Sequence, residues 1–139
     1  MKVEVSDSIK GIKKFKPEDI SSFGFLFEGE QYRFYSRPTI TQNNLRFLQP
    51  VVLGQKTSLY QFQTVNQNGA PLGTFYTFEK SDGTYAFLST GIKNLDTFRE
   101  ILREFYKDNP EVLQLIERKF QTRTAIKNDI IEIVRTANR

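Results

Sequence analysis

Over its first two-thirds the chain alternates apolar and polar positions with a period of two, in runs broken by turn-forming residues at about ten-residue spacing. The runs cover residues 9–15, 22–28, 31–37, 45–53, 58–65, 74–79 and 84–89. Each is rich in β-branched and aromatic residues, which suit a pleated, half-buried surface, so each predicts a strand. Two hairpins are explicit. "FLFEGEQYRF" sets Glu-Gly-Glu between two aromatic runs, and "FYTFEKSDGTYAFLS" sets Ser-Asp-Gly between two more, with Gly83 suited to the positive φ of such a turn. Between them, "NQNGAPLG" (66–73) is too polar for a core and reads as a long hairpin loop or a binding loop.

From Asn94 the period changes to 3.6. Leu95, Phe98, Ile101, Leu102, Phe105 and Tyr106 fall on one stripe, with Asn94 placed to cap the helix and Asp108, Asn109 and Pro110 placed to end it. Pro110 at a first helical position opens a second helix bearing Val112, Leu113 and Ile116. A third carries Ile126, Ile130, Ile133, Val134 and Ala137, with Thr124 expected as its cap. Three amphipathic helices need a surface to cover, and the sheet offers one. The expected fold is therefore α+β: an antiparallel sheet of about six or seven strands over residues ~9–89, followed by about three C-terminal helices packed on it, in a single domain spanning 1–139.

Composition narrows the chemistry. The chain of 139 residues contains 13 Phe and 6 Tyr, enough large side chains to build a core, and no Cys or His. Those two absences exclude disulfides, thiolate nucleophiles and metal sites, Ser-His-Asp and Cys-His arrangements, and any imidazole proton transfer. A net charge of +4 suggests nucleic acid, but it is spread as +1, +2 and +1 over residues 1–20, 21–93 and 94–139. That distribution describes a solvated surface without a basic block. No run approaches the ~20 apolar residues of a membrane span, and "MKVEVSDSIKG" lacks a signal peptide's apolar centre.

The candidate chemistry is correspondingly thin. In "QYRFYSRP" (31–38) strand alternation places Tyr32, Phe34 and Ser36 on one face and Arg33, Tyr35 and Arg37 on the other. The second set, a tyrosine between two arginines, is the candidate binding surface if the first faces the core, and it reads equally well as a cation-π surface strand. "SFGFLF" overlaps the centre of an RNA-recognition signature at Phe23, Gly24, Phe25 and Leu26, but its ends and its place in the order of elements do not fit that fold. The carboxylates Glu18, Asp19, Glu28, Glu30, Glu79 and Asp82 are the remaining acid-base candidates, and most fall in turns. "FKPEDISSFGF" reads as a connector, Pro17 presetting a turn and Ile20 and Phe23 pointing inward. Neither glycine-rich phosphate loop occurs. No catalytic, cofactor-binding or metal-binding residue is assigned.

Three segments together resemble a group of small uncharacterised Bacteroidetes proteins: "FKPEDISSFGF" with the hairpin carrying Tyr32, "VVLGQKTSLYQF" with its G-x-x-x-S-L-Y element at Gly54 and Ser58-Leu59-Tyr60, and the tail "FREILREFYKDNPEVLQLIERKF" with "NDIIEIVRTAN". The resemblance implies an exported, periplasmic or cell-envelope protein whose signal peptide is absent from this chain, with a cytoplasmic location as the alternative. It brings no active site. The expected function is a non-enzymatic binding or structural module contacting another protein through a sheet edge or polar loops. The alternatives are single-stranded nucleic-acid binding through Arg33, Tyr35 and Arg37, and carriage of a small apolar ligand between sheet and helices.

Overall fold

The structure, a computed structural model, describes residues 3–7, 11–39 and 44–139, with backbone alone at 3–7 and 11–14. Its elements are β1 (Val3–Asp7), β2 (Gly11–Phe15), β3 (Ser22–Phe27), β4 (Glu30–Pro38), β5 (Leu45–Val52), β6 (Thr57–Val65), β7 (Pro71–Lys80), β8 (Tyr85–Ser89), then α1 (Leu95–Phe105), α2 (Pro110–Arg118) and α3 (Ile126–Ala137). The fold is α+β: strands β3 to β8 are hydrogen-bonded in chain order, and the three helices follow. β1 and β2 pair with each other in a separate antiparallel ladder, Val3 opposite Phe15 and Asp7 opposite Gly11. The first strand expected from alternation starts at residue 9, and 8–10 lie outside the described residues. β1 is not among the expected strands, because its Val-Glu-Val-Ser-Asp alternates over only five residues.

The chain divides into two compact units, Met1–Gln49 and Pro50–Arg139, with the division inside β5. In the first, β3 pairs with β4 from Ser22 opposite Tyr35 to Phe27 opposite Glu30, and β4 pairs with β5 from Tyr35 opposite Leu48 to Pro38 opposite Leu45. The connector 16–21 docks where the sequence suggested a turn. Asp19 accepts from the Lys16 N–H at 2.8 Å, and the buried Ser36 hydroxyl donates to the Pro17 carbonyl at 2.5 Å. Each satisfies a polar group that the irregular backbone would otherwise leave open.

In the second unit, β6, β7 and β8 put Leu59, Tyr76, Phe78, Ala86 and Leu88 on one face. The helices cover that face with Phe98, Leu102, Phe105, Val112, Leu115, Ile116, Ile130, Ile133 and Val134. Each Phe, Leu or Ile taken fully out of water contributes about 1.5–3 kcal/mol, so this layer supplies most of the unit's stabilisation. Asn94 caps α1 at the expected position by accepting from the Asp96 N–H, and Asn109, within the step expected between the two helices, caps α2 by accepting from the Val112 N–H ahead of Pro110. The expected cap of α3 is corrected. Residues Arg123–Ala125 form a 3₁₀ turn, α3 begins at Ile126 without a side-chain cap, and the Thr124 hydroxyl bonds to Thr122 instead.

Two tertiary contacts lock the helices in place. Phe120, fully buried, holds φ at +63°, a left-handed conformation costing of order 1–3 kcal/mol in a bulky residue. Its N–H donates to the buried Asp129 carboxylate at 2.9 Å, and Arg99 donates to the Lys119 and Phe120 carbonyls at 3.0 and 2.8 Å, while its ring stacks on Phe98. At the C-terminus, Asn138 accepts from the Lys56 and Thr57 N–H groups at 3.1 and 2.9 Å and donates to the Thr57 and Val134 carbonyls. A Cβ on Gly54 would lie 2.1 Å from Asn138 Nδ2, so only glycine admits this clamp. The G-x-x-x-S-L-Y element and the close of NDIIEIVRTAN at Asn138 thus meet as one structural device.

The loop expected over 66–73 is shorter, because β7 begins at Pro71. Its turn is closed by Asn66, which accepts from the Asn68 and Ala70 N–H groups at 2.9 and 3.0 Å, with Gly69 at φ +80°. An Asx turn that satisfies its own backbone has little left to offer a ligand.

Candidate binding surface

Among the described residues of the first unit, the large apolar side chains that stand exposed, Phe25, Leu26 and Phe27, all belong to the hairpin of β3 and β4. Its connection is two residues long, Glu28 and Gly29, with φ of +50° and +81°, the left-handed pair that matches the strands' own twist. Across the ladder Phe23 faces Phe34, Phe25 faces Tyr32 and Phe27 faces Glu30, so all these side chains share one face. The rings form an array. Phe23 stacks on Phe34 at 5.2 Å and Phe25 on Tyr32 at 5.3 Å, with planes within 18° of parallel, and Phe47 of β5 closes edge-on against Phe23 at 4.9 Å. The Tyr32 hydroxyl donates to Glu30 at 3.0 Å.

Burial declines toward the turn. Phe47 is buried and Phe23 and Phe34 are half-buried, whereas Phe25 is 47% and Phe27 59% exposed, and Leu26 on the opposite face is 76% exposed. Alternation places Tyr32 and Phe34 on the face opposite Arg33, Tyr35 and Arg37, and leaves open whether that face turns to the core. The structure makes them half-buried members of a partly open aromatic surface. Sequence alternation within one strand could not find this, because the array is assembled by cross-strand register.

The other face carries the three residues singled out from the sequence. Arg33 is exposed and folds over Gly24, where a Cβ would lie 3.5 Å from its Nη2 and 3.0 Å from the Tyr32 carbonyl oxygen. The Arg37 guanidinium lies 5.4 Å from the Tyr35 ring centroid and donates to the Ser36 carbonyl at 2.8 Å, the cation-π arrangement expected for a surface strand. The register adds a residue the sequence did not suggest: Arg46 of β5 lies directly opposite Arg37, so Arg33, Arg37 and Arg46 share a face with Tyr35.

Of the candidate carboxylates, Asp19, Glu30, Glu79 and Asp82 accept hydrogen bonds from neighbouring groups. Glu18, Glu28 and Glu30 are exposed in turns or at the hairpin tip, Asp19 and Asp82 accept from turn amides, and Thr84 holds the Asp82 carboxyl below its ordinary value. Glu79 accepts from the Tyr85 and Tyr60 hydroxyls at 2.8 and 3.4 Å. In the second unit a cavity of about 210 Å³ opens beside Lys56, Thr57, Lys80, Asp82, Tyr106 and Asp108. The Lys80 ammonium sits 4.6 Å from the Phe105 ring centroid, and Thr57 bonds the Tyr106 hydroxyl at 2.9 Å. Polar residues line most of it, although more of the surface they present is apolar, and in the layer between sheet and helices Phe78, Phe98, Leu102 and Ile130 have no exposed surface. Among the described residues no helix is long and apolar enough to cross a membrane. Comparison of the chain with protein-family models, with curated proteins and with solved structures finds no match.

Proposed function

We propose that the chain is a non-enzymatic binding module of the cell envelope, and that its β3–β4 hairpin takes up an extended segment of polypeptide. The observation that carries this reading is the strand SFGFLF: it is the outer strand of its ladder, it bears no charge and no proline, and Phe25, Leu26 and Phe27 expose apolar surface on both of its faces. Sheet proteins ordinarily blunt such an edge with lysine, proline or a bulge, and one left open is a template for β-augmentation. Main-chain hydrogen bonds then supply affinity, and the alternating apolar positions supply specificity. The absence of His and Cys from the sequence, and the structural duties of its carboxylates, favour binding over catalysis. The envelope location rests on the resemblance of the three segments described above.

The reading is tested by placing a photo-crosslinking amino acid at Leu26, with the exposed Lys127 of α3 as a control position, and irradiating cells of the native host. Discrete adducts from position 26 but not 127, with the partner peptide identified by mass spectrometry, are the expected result. A position 26 that yields none overturns the reading.

A second reading has its own observation, the common face of Arg33, Tyr35, Arg37 and Arg46, which suits single-stranded nucleic acid. Such binding must weaken steeply between low and moderate salt and disappear in the Arg33→Ala/Arg37→Ala variant. No salt-sensitive retardation of single-stranded DNA or RNA at micromolar protein removes this reading.

A further inference from the structure

We infer that the segment taken up by β3 is the same strand of a second copy of this chain, in antiparallel register centred on Phe25. This rests on the reading of β3 as a docking edge and names its occupant.

The backbone sets the first condition. Phe27 and Glu30 flank a two-residue turn and so form its hydrogen-bonded pair; by alternation Phe23 and Phe25 also direct their N–H and C=O groups to β4. The Ser36 N–H donating to the Ser21 carbonyl at 2.8 Å keeps the same parity. Ser22, Gly24 and Leu26 therefore direct theirs away from β4, toward an edge that no further strand occupies among the described residues. An antiparallel copy centred on Phe25 brings Gly24 opposite Leu26 of the second copy, and Leu26 opposite its Gly24. Both become hydrogen-bonded pairs, so all four outward groups of Gly24 and Leu26 find partners.

Side chains set the second condition. In this register the twofold axis keeps each face on its own side. On the aromatic face Phe25 meets Phe25 of the second copy, and Phe23 meets its Phe27. The stacked pairs Phe25–Tyr32 and Phe23–Phe34 then continue across the junction as rows of rings, covering the two phenylalanines left open by the monomer. On the opposite face the 76%-exposed Leu26 lies beside Gly24, which has no side chain to obstruct it, and against the flat Arg33 guanidinium that lies over that glycine. At the ends Ser22 faces Glu28 of the second copy. No like charges meet directly, because the strand is uncharged from Ser22 to Phe27. A strand whose most exposed side chain complements its own glycine two positions away is self-complementary, as an isologous interface requires.

The absence of cysteine from the chain makes the register directly measurable. Phe25 of each copy forms a non-hydrogen-bonded pair with Cα atoms about 4.5 Å apart, inside the range of about 4.4 to 6.8 Å that a disulfide spans. Under mild oxidation the Phe25→Cys variant is expected to form a disulfide dimer at least tenfold faster than Phe23→Cys or Gly24→Cys. Sedimentation velocity of the unmodified chain over 1–100 µM should show a concentration-dependent dimer that Leu26→Pro abolishes. That substitution removes an outward N–H and no β3–β4 bond, so an unchanged circular dichroism spectrum accompanies the loss. A chain monomeric throughout, or crosslinking fastest from position 23 or 24, overturns the inference. The photo-crosslink at position 26 separates the two levels: an adduct with a different protein overturns the second copy and leaves the docking edge standing, whereas no adduct overturns both.

Discussion

The two units use the same side chains in opposite ways. In Pro50–Arg139, Phe78, Phe98 and Phe120 have no exposed surface and are enclosed between a sheet face and three helices. In Met1–Gln49, Phe23, Phe25, Phe27, Tyr32 and Phe34 stand in a cross-strand array that opens toward the hairpin turn. Aromatic content alone therefore carries no functional meaning. What separates a core phenylalanine from an exposed one is whether an element with a matching apolar stripe packs over it, and among the described residues of the first unit there is no helix to do so.

The sharpest way to break the comparison is truncation at matched residues. Phe98→Ala should cost about 3–5 kcal/mol, the usual penalty for emptying a fully buried aromatic site, read by urea unfolding with far-UV circular dichroism because the chain has no tryptophan. If Phe98→Ala proves nearly neutral, the helical layer is not the stabilising core.

Alkaline titration probes the same layer. Burial pushes the Tyr106 phenol up to about 12 from an ordinary value of 10, outweighing the Thr57 hydroxyl that bonds it. Because the folded value is the higher one, this contribution is complete below pH 10 and is lost as pH rises from 10 through about 12, roughly 2–3 kcal/mol in all. Tyr106→Phe should flatten that limb of the stability profile, and an unaltered limb would show that another group controls it.

Within the second unit the Asn138 clamp gives a test of coupling. Asn138→Ala leaves the Lys56 and Thr57 amides without their acceptor and should cost about 2 kcal/mol. Gly54→Ala, by displacing the same side chain, should cost a similar amount, and the double variant little more than either alone. Additive losses would mean that the two residues do not act as one device.

The smallest effect on stability belongs to the hairpin. Phe27→Ala, at a 59% exposed position, should change the unfolding free energy of dilute protein by less than about 0.5 kcal/mol. It should nonetheless reduce association through β3. A large destabilisation would place Phe27 in a core and remove the contrast between the units.

Much of this architecture is legible in local sequence. Asn94 and Asn109 cap helices because their side chains reach amides two or three residues on, and Gly83 takes φ +87° because its turn demands it. The 3.6-residue stripes of α1 and α3 match the residues that are buried, since periodicity and burial are one signal for a helix packed on a single side. The Thr124 cap failed for a local reason as well: a 3₁₀ turn intervenes and moves the helix start past the hydroxyl. The three residues offered as a binding set were placed on one face correctly, but their fourth member, Arg46, comes from another strand.

What lay beyond the sequence was always a matter of pairing. Alternation says which residues of one strand share a face; it does not say which strand lies alongside, in what register, or which of the two faces a helix will cover. Those choices made Tyr32 and Phe34, whose face alternation left open, part of a half-open aromatic array, brought Gly54 to Asn138 across the fold, and left SFGFLF at the edge of its ladder. The residues themselves determined the strands, the turns, the helix caps and the absence of imidazole and thiol chemistry, because each depends on neighbours a few positions away. The exposed edge, and the binding proposed for it, were decided only when distant segments packed.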